Sequence, residues 1–264
     1  MSKRVGFSLK TKRDWLDAAL DQLIHATDES QIRIFLDEYI KQELTGKLYR
    51  DKLIGILQRI WICVPKERGD LRKGAIDLVP KISNHERIWL HWGMTAMAYP
   101  FFRDATGIIG RLLSLQDDLT MSQIHDRMLT NWGDRITTKD AIQRLINTLI
   151  DWEILEPTEP KGRFKLVRKI TTTSVDLQLW LLHAMLEANV ASEIELQQLL
   201  RLPEIFPFKI NVALPTVRSY AGFTIDRQGV DMDMVAACNT RDIQLVHKRQ
   251  EASKEQLRLF QIPT

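Results

Sequence analysis

Cysteine is nearly missing from this chain: its 264 residues hold only Cys63 and Cys238, each alone in an apolar setting. Two isolated thiols fit a reducing compartment best, with both side chains expected as small buried hydrophobes, and a disulfide between them is the weaker reading. No run of about eighteen apolar residues occurs, so no membrane span is expected, and residues 1–10 hold nothing like the core of a signal peptide. A cytoplasmic location is the expectation. Strong charge of either sign is also lacking, since 37 Lys and Arg stand against 34 Asp and Glu, leaving +3. That balance permits a nucleic-acid partner without demanding one, and shifts the question to where positive charge gathers.

The sequence marks of common catalytic sites are absent as well. There is no GxxxxGK[ST], GxGxxG, HExxH or CxxC pattern, so phosphate cradles and common zinc sites have no signature here. The six histidines are scattered, and His85 and His91 lie six apart, on roughly opposite sides of a helix. Asp231 and Asp233 sit two apart in an expected strand, a pairing able to hold Mg²⁺ in a nuclease, with Lys248 or Lys254 assisting. A solvated strand face, with Val230, Met232 and Met234 opposite, is the preferred reading of that pair. No enzyme activity, cofactor or metal is therefore expected.

What is present is helical rhythm. With 44% hydrophobic and 27% charged residues the chain has an ordinary globular composition, long enough for one large or two modest cores. Trp15, Ala19, Leu20, Leu23 and Ile24 recur at helical spacing. Ile32, Phe35, Leu36, Tyr39 and Ile40 form a second stripe behind the cap Asp28. Leu48, Tyr49, Leu53, Ile56, Leu57, Ile60 and Trp61 form a third. Residues 64–81, punctuated by Pro65, Gly69, Gly74 and Pro80, read as a loop with room for one helical turn. Ser83 or Asn84 then caps a helix whose Ile88, Trp89, Trp92 and Met97 are core, and Pro100 separates it from a helix at 101–115. Later segments predict helices at 175–188 and 192–200, a strand at 208–212, and a hairpin at 222–235 turning at 227–229. The last twenty or so residues read as a polar helix or tail. Pro203 and Pro207 mark a boundary, so residues 1–202 are expected to fold alone.

Function concentrates between residues 107 and 169. After a first helix, Thr120 caps a second over 121–132, with Ile124, Met128 and Leu129 inward, and Gly133 makes the turn. Thr137 is the expected cap of a third helix, with Asp140 three residues on. Ala141, Ile142, Leu145, Ile146 and Leu149 form its buried stripe, which leaves Lys139, Gln143, Arg144 and Asn147 for solvent. Thr138, at the start of this helix, joins them as a candidate contact. These are residue types able to donate to guanine edges or phosphates and to pair with adenine. A hairpin follows, with strands at 153–156 and 163–167 around a turn at 157–162. Lys161, Arg163, Lys165, Arg168 and Lys169 follow one another there with no acid among them. Alternation puts Arg163 and Lys165 on one face and Phe164 and Leu166 on the other.

The order helix, helix, turn, helix, Asp151-Trp152-Glu153-Ile154-Leu155, basic hairpin resembles the winged helix-turn-helix superfamily over about sixty residues. That resemblance implies contact with double-stranded DNA by the third helix and the hairpin, although many such modules dock proteins instead. A helical start on Arg13-Asp14-Trp15-Leu16, a helix-rich middle and this module are also similar in order to the BrxA family of the BREX phage-defence system, from which the chain departs by about sixty residues after Leu200. This second likeness implies an accessory subunit in a bacterial defence complex. The expected architecture is mainly α: a helical domain at 1–100, a winged helix-turn-helix at 101–170, and a helical and β-hairpin extension at 171–264. A DNA-binding protein is the leading reading, with Thr138, Lys139, Gln143, Arg144, Asn147, Lys161, Arg163 and Lys165 as its contacts. A scaffold subunit is the first rival and a nuclease the second.

Overall fold

A computed structural model of the chain describes residues 5–25, 28–228 and 232–238. Among these the protein is mainly helical, with two small three-stranded sheets. The first helices follow the expected rhythm: α1 is Arg13–His25, α2 is Glu29–Lys41 and α3 is Lys47–Leu57. Asp28 caps α2 by accepting from the Ser30 amide at 2.9 Å. The end of α3 widens into a π-turn at Gln58–Ile62, which carries Ile60 and Trp61 into the core. The buried stripes are narrower than expected. On α2 only Ile32, Leu36 and Ile40 are buried, while Phe35 and Tyr39 stack on each other at the surface, and Leu48 of α3 is exposed.

Residues 64–81 are not the expected loop. A ten-residue helix, α4, runs Gly69–Leu78 and buries Leu71, Ala75 and Leu78, a stripe at helical spacing. Gly74, which reads as punctuation in the sequence, lies within this helix, and a Cβ there would stand at ordinary contact distance, 3.4 Å, from the Trp180 ring. Ser83 and Glu86 then form a capping box around a single 3₁₀ turn that opens α5, Arg87–Ala98. Pro100 starts α6, Pro100–Leu113.

Two helices are apolar all round and occupy the centre, as such helices must. One is α5, where every residue from Ile88 to Met97 is buried. The other is α9, Val175–Ala188, reached after the middle elements. They cross at Gly93, where a Cβ would lie 2.7 Å from the Trp180 ring and 3.0 Å from Ala184. Buried side chains form one continuous cluster from Phe7 to Val235, across the divisions at residues 100 and 170 expected from sequence.

Between α6 and α9 lie β1 (Asp118–Thr120), α7 (Met121–Trp132), α8 (Ile136–Asp151), β2 (Leu155–Thr158) and β3 (Arg163–Leu166). The strands form an antiparallel sheet in the order β1-β3-β2. Beyond α9 come β4 (Glu193–Glu195), the short α10 (Leu196–Leu199), α11 (Leu214–Arg218), β5 (Phe223–Gln228) and β6 (Met232–Ala237), with sheet order β4-β6-β5. The expected helix at 192–200 is thus half strand. The expected strand at 208–212 is reduced to one bridge between Ile170 and Phe208. Arg227 and Gln228, expected in the hairpin turn, instead continue β5 and pair with Asp233 and Met232, while Gly229 lies outside the described residues, as do Lys248, Lys254 and the polar tail.

The segment after Leu202 belongs to the core, against the expectation that residues 1–202 are self-sufficient. Phe206 and Phe208 pack edge-on to Trp92 at 5.8 and 5.4 Å, and Phe208 also lies 4.4 Å from Trp89. Trp92 donates to the Glu204 carbonyl at 3.1 Å. The cysteines differ from each other: Cys238 is buried as expected, whereas Cys63 is exposed, and neither forms a disulfide.

Candidate nucleic-acid interface

The expected contact elements take their places for local reasons. Thr120 and Gln123 form a reciprocal capping box at the start of α7. Gly133 ends α7 at φ +85°, a conformation that side chains with a Cβ rarely adopt, and releases the chain into α8. The third helix starts two residues earlier than expected, with Arg135 in place of Thr137 in the cap position and Ile136 as its first residue. That shift leaves Ile136 80% exposed on the leading turn, an apolar group sequence reasoning placed outside the helix.

Lys139 and Gln143 are exposed on α8, and Asn147 is half-buried beside them. Thr138 must be removed from the candidates. Its side chain is fully buried, because it falls on the face that also carries Ala141, Ile142 and Leu145. Arg144 is held away from solvent-facing work by the N-terminal region, donating to the Tyr49 hydroxyl at 3.3 Å. Further along, Thr148 accepts from the Thr11 amide, Asp151 accepts from the Arg13 amide, and Lys10 pairs with Asp151 at 3.0 Å. The second half of α8 is therefore stitched to residues 10–13. Its open surface is the first two turns, Ile136 to Gln143.

The hairpin keeps the expected alternation: Phe164 is buried and Lys165 exposed. The register then supplies what the linear sequence hides. Lys165 stands opposite Asp118 on β1 and Glu156 on β2, and pairs with Glu156 at 3.0 Å. Arg163 holds Asp118 through two hydrogen bonds of 2.7 and 3.1 Å, and this guanidinium keeps the Asp118 carboxyl below the usual carboxylate range. Lys139 pairs with Asp134 at 2.7 Å. Three of the expected cations thus carry their own counter-charges. Lys161, at the exposed turn beside Gly162, forms no ion pair among the described residues. Residues 107–169 as a whole contain ten basic and nine acidic side chains, so this unit projects little net field.

The rival nuclease pair is not assembled by what is described. Asp231 lies outside the described residues, and Asp233 accepts two hydrogen bonds from Arg218 at 2.6 and 2.9 Å. No group of three His, Cys, Asp or Glu side chains able to hold a metal occurs among the described residues. His91 is instead buried in a chain of hydrogen bonds, accepting from Trp61 at 3.1 Å and lying 3.0 Å from Asp17. Among the described residues no helix is long and apolar enough to cross a membrane. Comparison with protein-family models, with curated proteins and with solved structures finds no match to this chain.

Proposed function

We propose that residues 107–169 are a winged helix-turn-helix and that the protein contacts duplex DNA through the opening turns of α8 and the tip of the β2–β3 hairpin. One observation carries the reading: the succession α6, β1, α7, α8, β2, β3, with β3 in the middle of its sheet, leaves Thr137, Lys139, Asp140 and Gln143 exposed on the leading half of α8. A recognition helix reads base edges with its N-terminal residues, so the covered second half is no obstacle. Lys161 is the free phosphate contact at the wing. Lys139, Arg163 and Lys165 reach phosphate only by exchanging a carboxylate for it, so few counterions are released. The slope of log affinity against log salt is therefore shallow, about −2 for two neutralised phosphates. The wider role is that of an accessory subunit of a bacterial defence complex, in line with the likeness to the BrxA family.

Protein docking is the second reading, favoured by Ile136, an exposed apolar side chain on the very turn meant for the groove, and by the balanced charge of the unit. Fluorescence anisotropy with a labelled duplex across a salt series separates the two. Lys161→Ala is expected to weaken binding and flatten the slope by about one unit, and Gln143→Ala to lower sequence preference. Binding unaffected by both, on a protein that remains folded, refutes the DNA reading, and Ile136→Asp then becomes the variant with which to disrupt a protein complex.

A further inference from the structure

A cavity of about 780 Å³ opens on the side of the molecule where α6, the end of β3 and the segment 198–210 meet. Its size falls in the range of about 300–1,000 Å³ typical of small-molecule sites. Leu113, Leu166, Phe206 and Ile210 give it an apolar wall, while Arg111, Lys169 and Arg201 stand around it.

These three cations differ from those of the hairpin face. Arg163 and Lys165 are matched with acids, whereas none of Arg111, Lys169 and Arg201 forms an ion pair among the described residues. The Lys169 ammonium donates only to a neutral group, the Phe206 carbonyl, and burial pushes its pKa down, the mark of a charge without a counter-ion. The acids nearby do not answer this need. Asp117 lines the cavity without pairing to any of the three, and the Glu204 carboxylate lies over Gly107 with one oxygen buried and unpartnered, feeling Arg111 only through space. Three exposed cations that form no ion pair among the described residues, around one cavity with an apolar wall, are complementary to an anion carried on an apolar body.

We infer that this cavity binds a small organic anion, a carboxylate, sulfonate or phosphate carried on an apolar body, with the body against Phe206 and Ile210 and the charge toward Lys169 and Arg201. The site is independent of the DNA reading and is tested on the free protein. The probe is 8-anilinonaphthalene-1-sulfonate, titrated into the folded full chain by fluorescence, with the uncharged N-phenyl-1-naphthylamine as its neutral counterpart. Saturable one-site binding of the sulfonate is expected. Lys169→Met and Arg201→Glu should each weaken it roughly tenfold, the value of one charge-assisted hydrogen bond, while leaving the neutral probe unchanged. Arg201 is exposed, so its variant keeps the test valid even if Lys169→Met disturbs the Phe206 turn. Absence of saturable binding by the wild type, equal sulfonate affinity in Arg201→Glu, or parallel weakening of both probes would each overturn the assignment.

Discussion

Replacing Gly110 with alanine places a methyl group where the structure has no room for one. Its Cβ would lie 1.9 Å from the Pro203 carbonyl oxygen and 3.0 Å from the Phe206 Cβ, and the first of these neighbours is backbone. The 3₁₀ turn Pro203–Ile205 must then lift from α6, loosening the Trp92 hydrogen bond to the Glu204 carbonyl and the Phe206 contact with Trp92. Overpacking costs about 1–3 kcal/mol and a lost buried hydrogen bond about 1–2, against a gain of about 1 for alanine over glycine in a helix. The net expectation is a destabilisation of about 2–3 kcal/mol, seen as a melting temperature lower by roughly 5–10 °C. Gly55 of α3 supplies the control, since a Cβ there meets nothing within 4 Å and the same substitution should stabilise by about 0.5–1 kcal/mol. Urea and thermal denaturation of both variants measure the two signs. A Gly110→Ala protein as stable as wild type would refute the close docking of the 203–206 turn on α6.

Three further outcomes are expected. Glu153 sits at φ +57° as the residue after the α8 C-cap, with the Ile154 amide bonded to the Leu149 carbonyl and its own to Ile150, so Glu153→Gly should relieve strain and raise stability by about 0.5–1 kcal/mol in urea titrations. A lower midpoint would contradict it. Burial depresses both His91 and His183, the latter to about 4, so the unfolded state binds the extra protons and stability falls as pH drops through about 6.5 toward 4. Melts at stepped pH should show this decline and a shallower one in His183→Phe. Truncation after Leu202 removes Phe206 and Phe208 from the aromatic core and should abolish a cooperative thermal transition by circular dichroism. A sharp transition would mean that the helices pack without that segment.

The parts of the fold legible in the sequence are those fixed locally. Thr120 with Gln123, Gly133 and the stripe from Ala141 to Leu149 announce α7 and α8 because caps and helical spacing act within a few residues. Helix α4 was hidden because Gly69 and Gly74 read as breakers, although the stripe Leu71, Ala75 and Leu78 keeps helical spacing through them. Three-residue strands such as β1 and β4 exist only through their partners and carry no periodicity of their own. The candidate site was legible in outline alone. Lys139 and Gln143 hold their exposed face, but Thr138 shares the buried face of Ala141, Ile142 and Leu145, and a helix start two residues early brings the exposed Ile136 onto the leading turn. The acids that neutralise Arg163 and Lys165 are brought in by strand register, which the linear run of basic residues conceals.

The crossing of α5 and α9 at Gly93 has a consequence for synthesis on the ribosome. The apolar surface of α5, with Trp89 and Trp92, is finished when about residue 98 has emerged, yet its covers, Trp180 and the 206–208 segment, leave the exit tunnel only after another hundred residues. At about 5–20 residues per second this leaves the nascent chain with an uncovered tryptophan-rich helix for roughly 5–20 s. Nascent chains halted between residues 100 and 200 should therefore be the forms most prone to chaperone capture and aggregation, while the completed polypeptide closes over its own centre last.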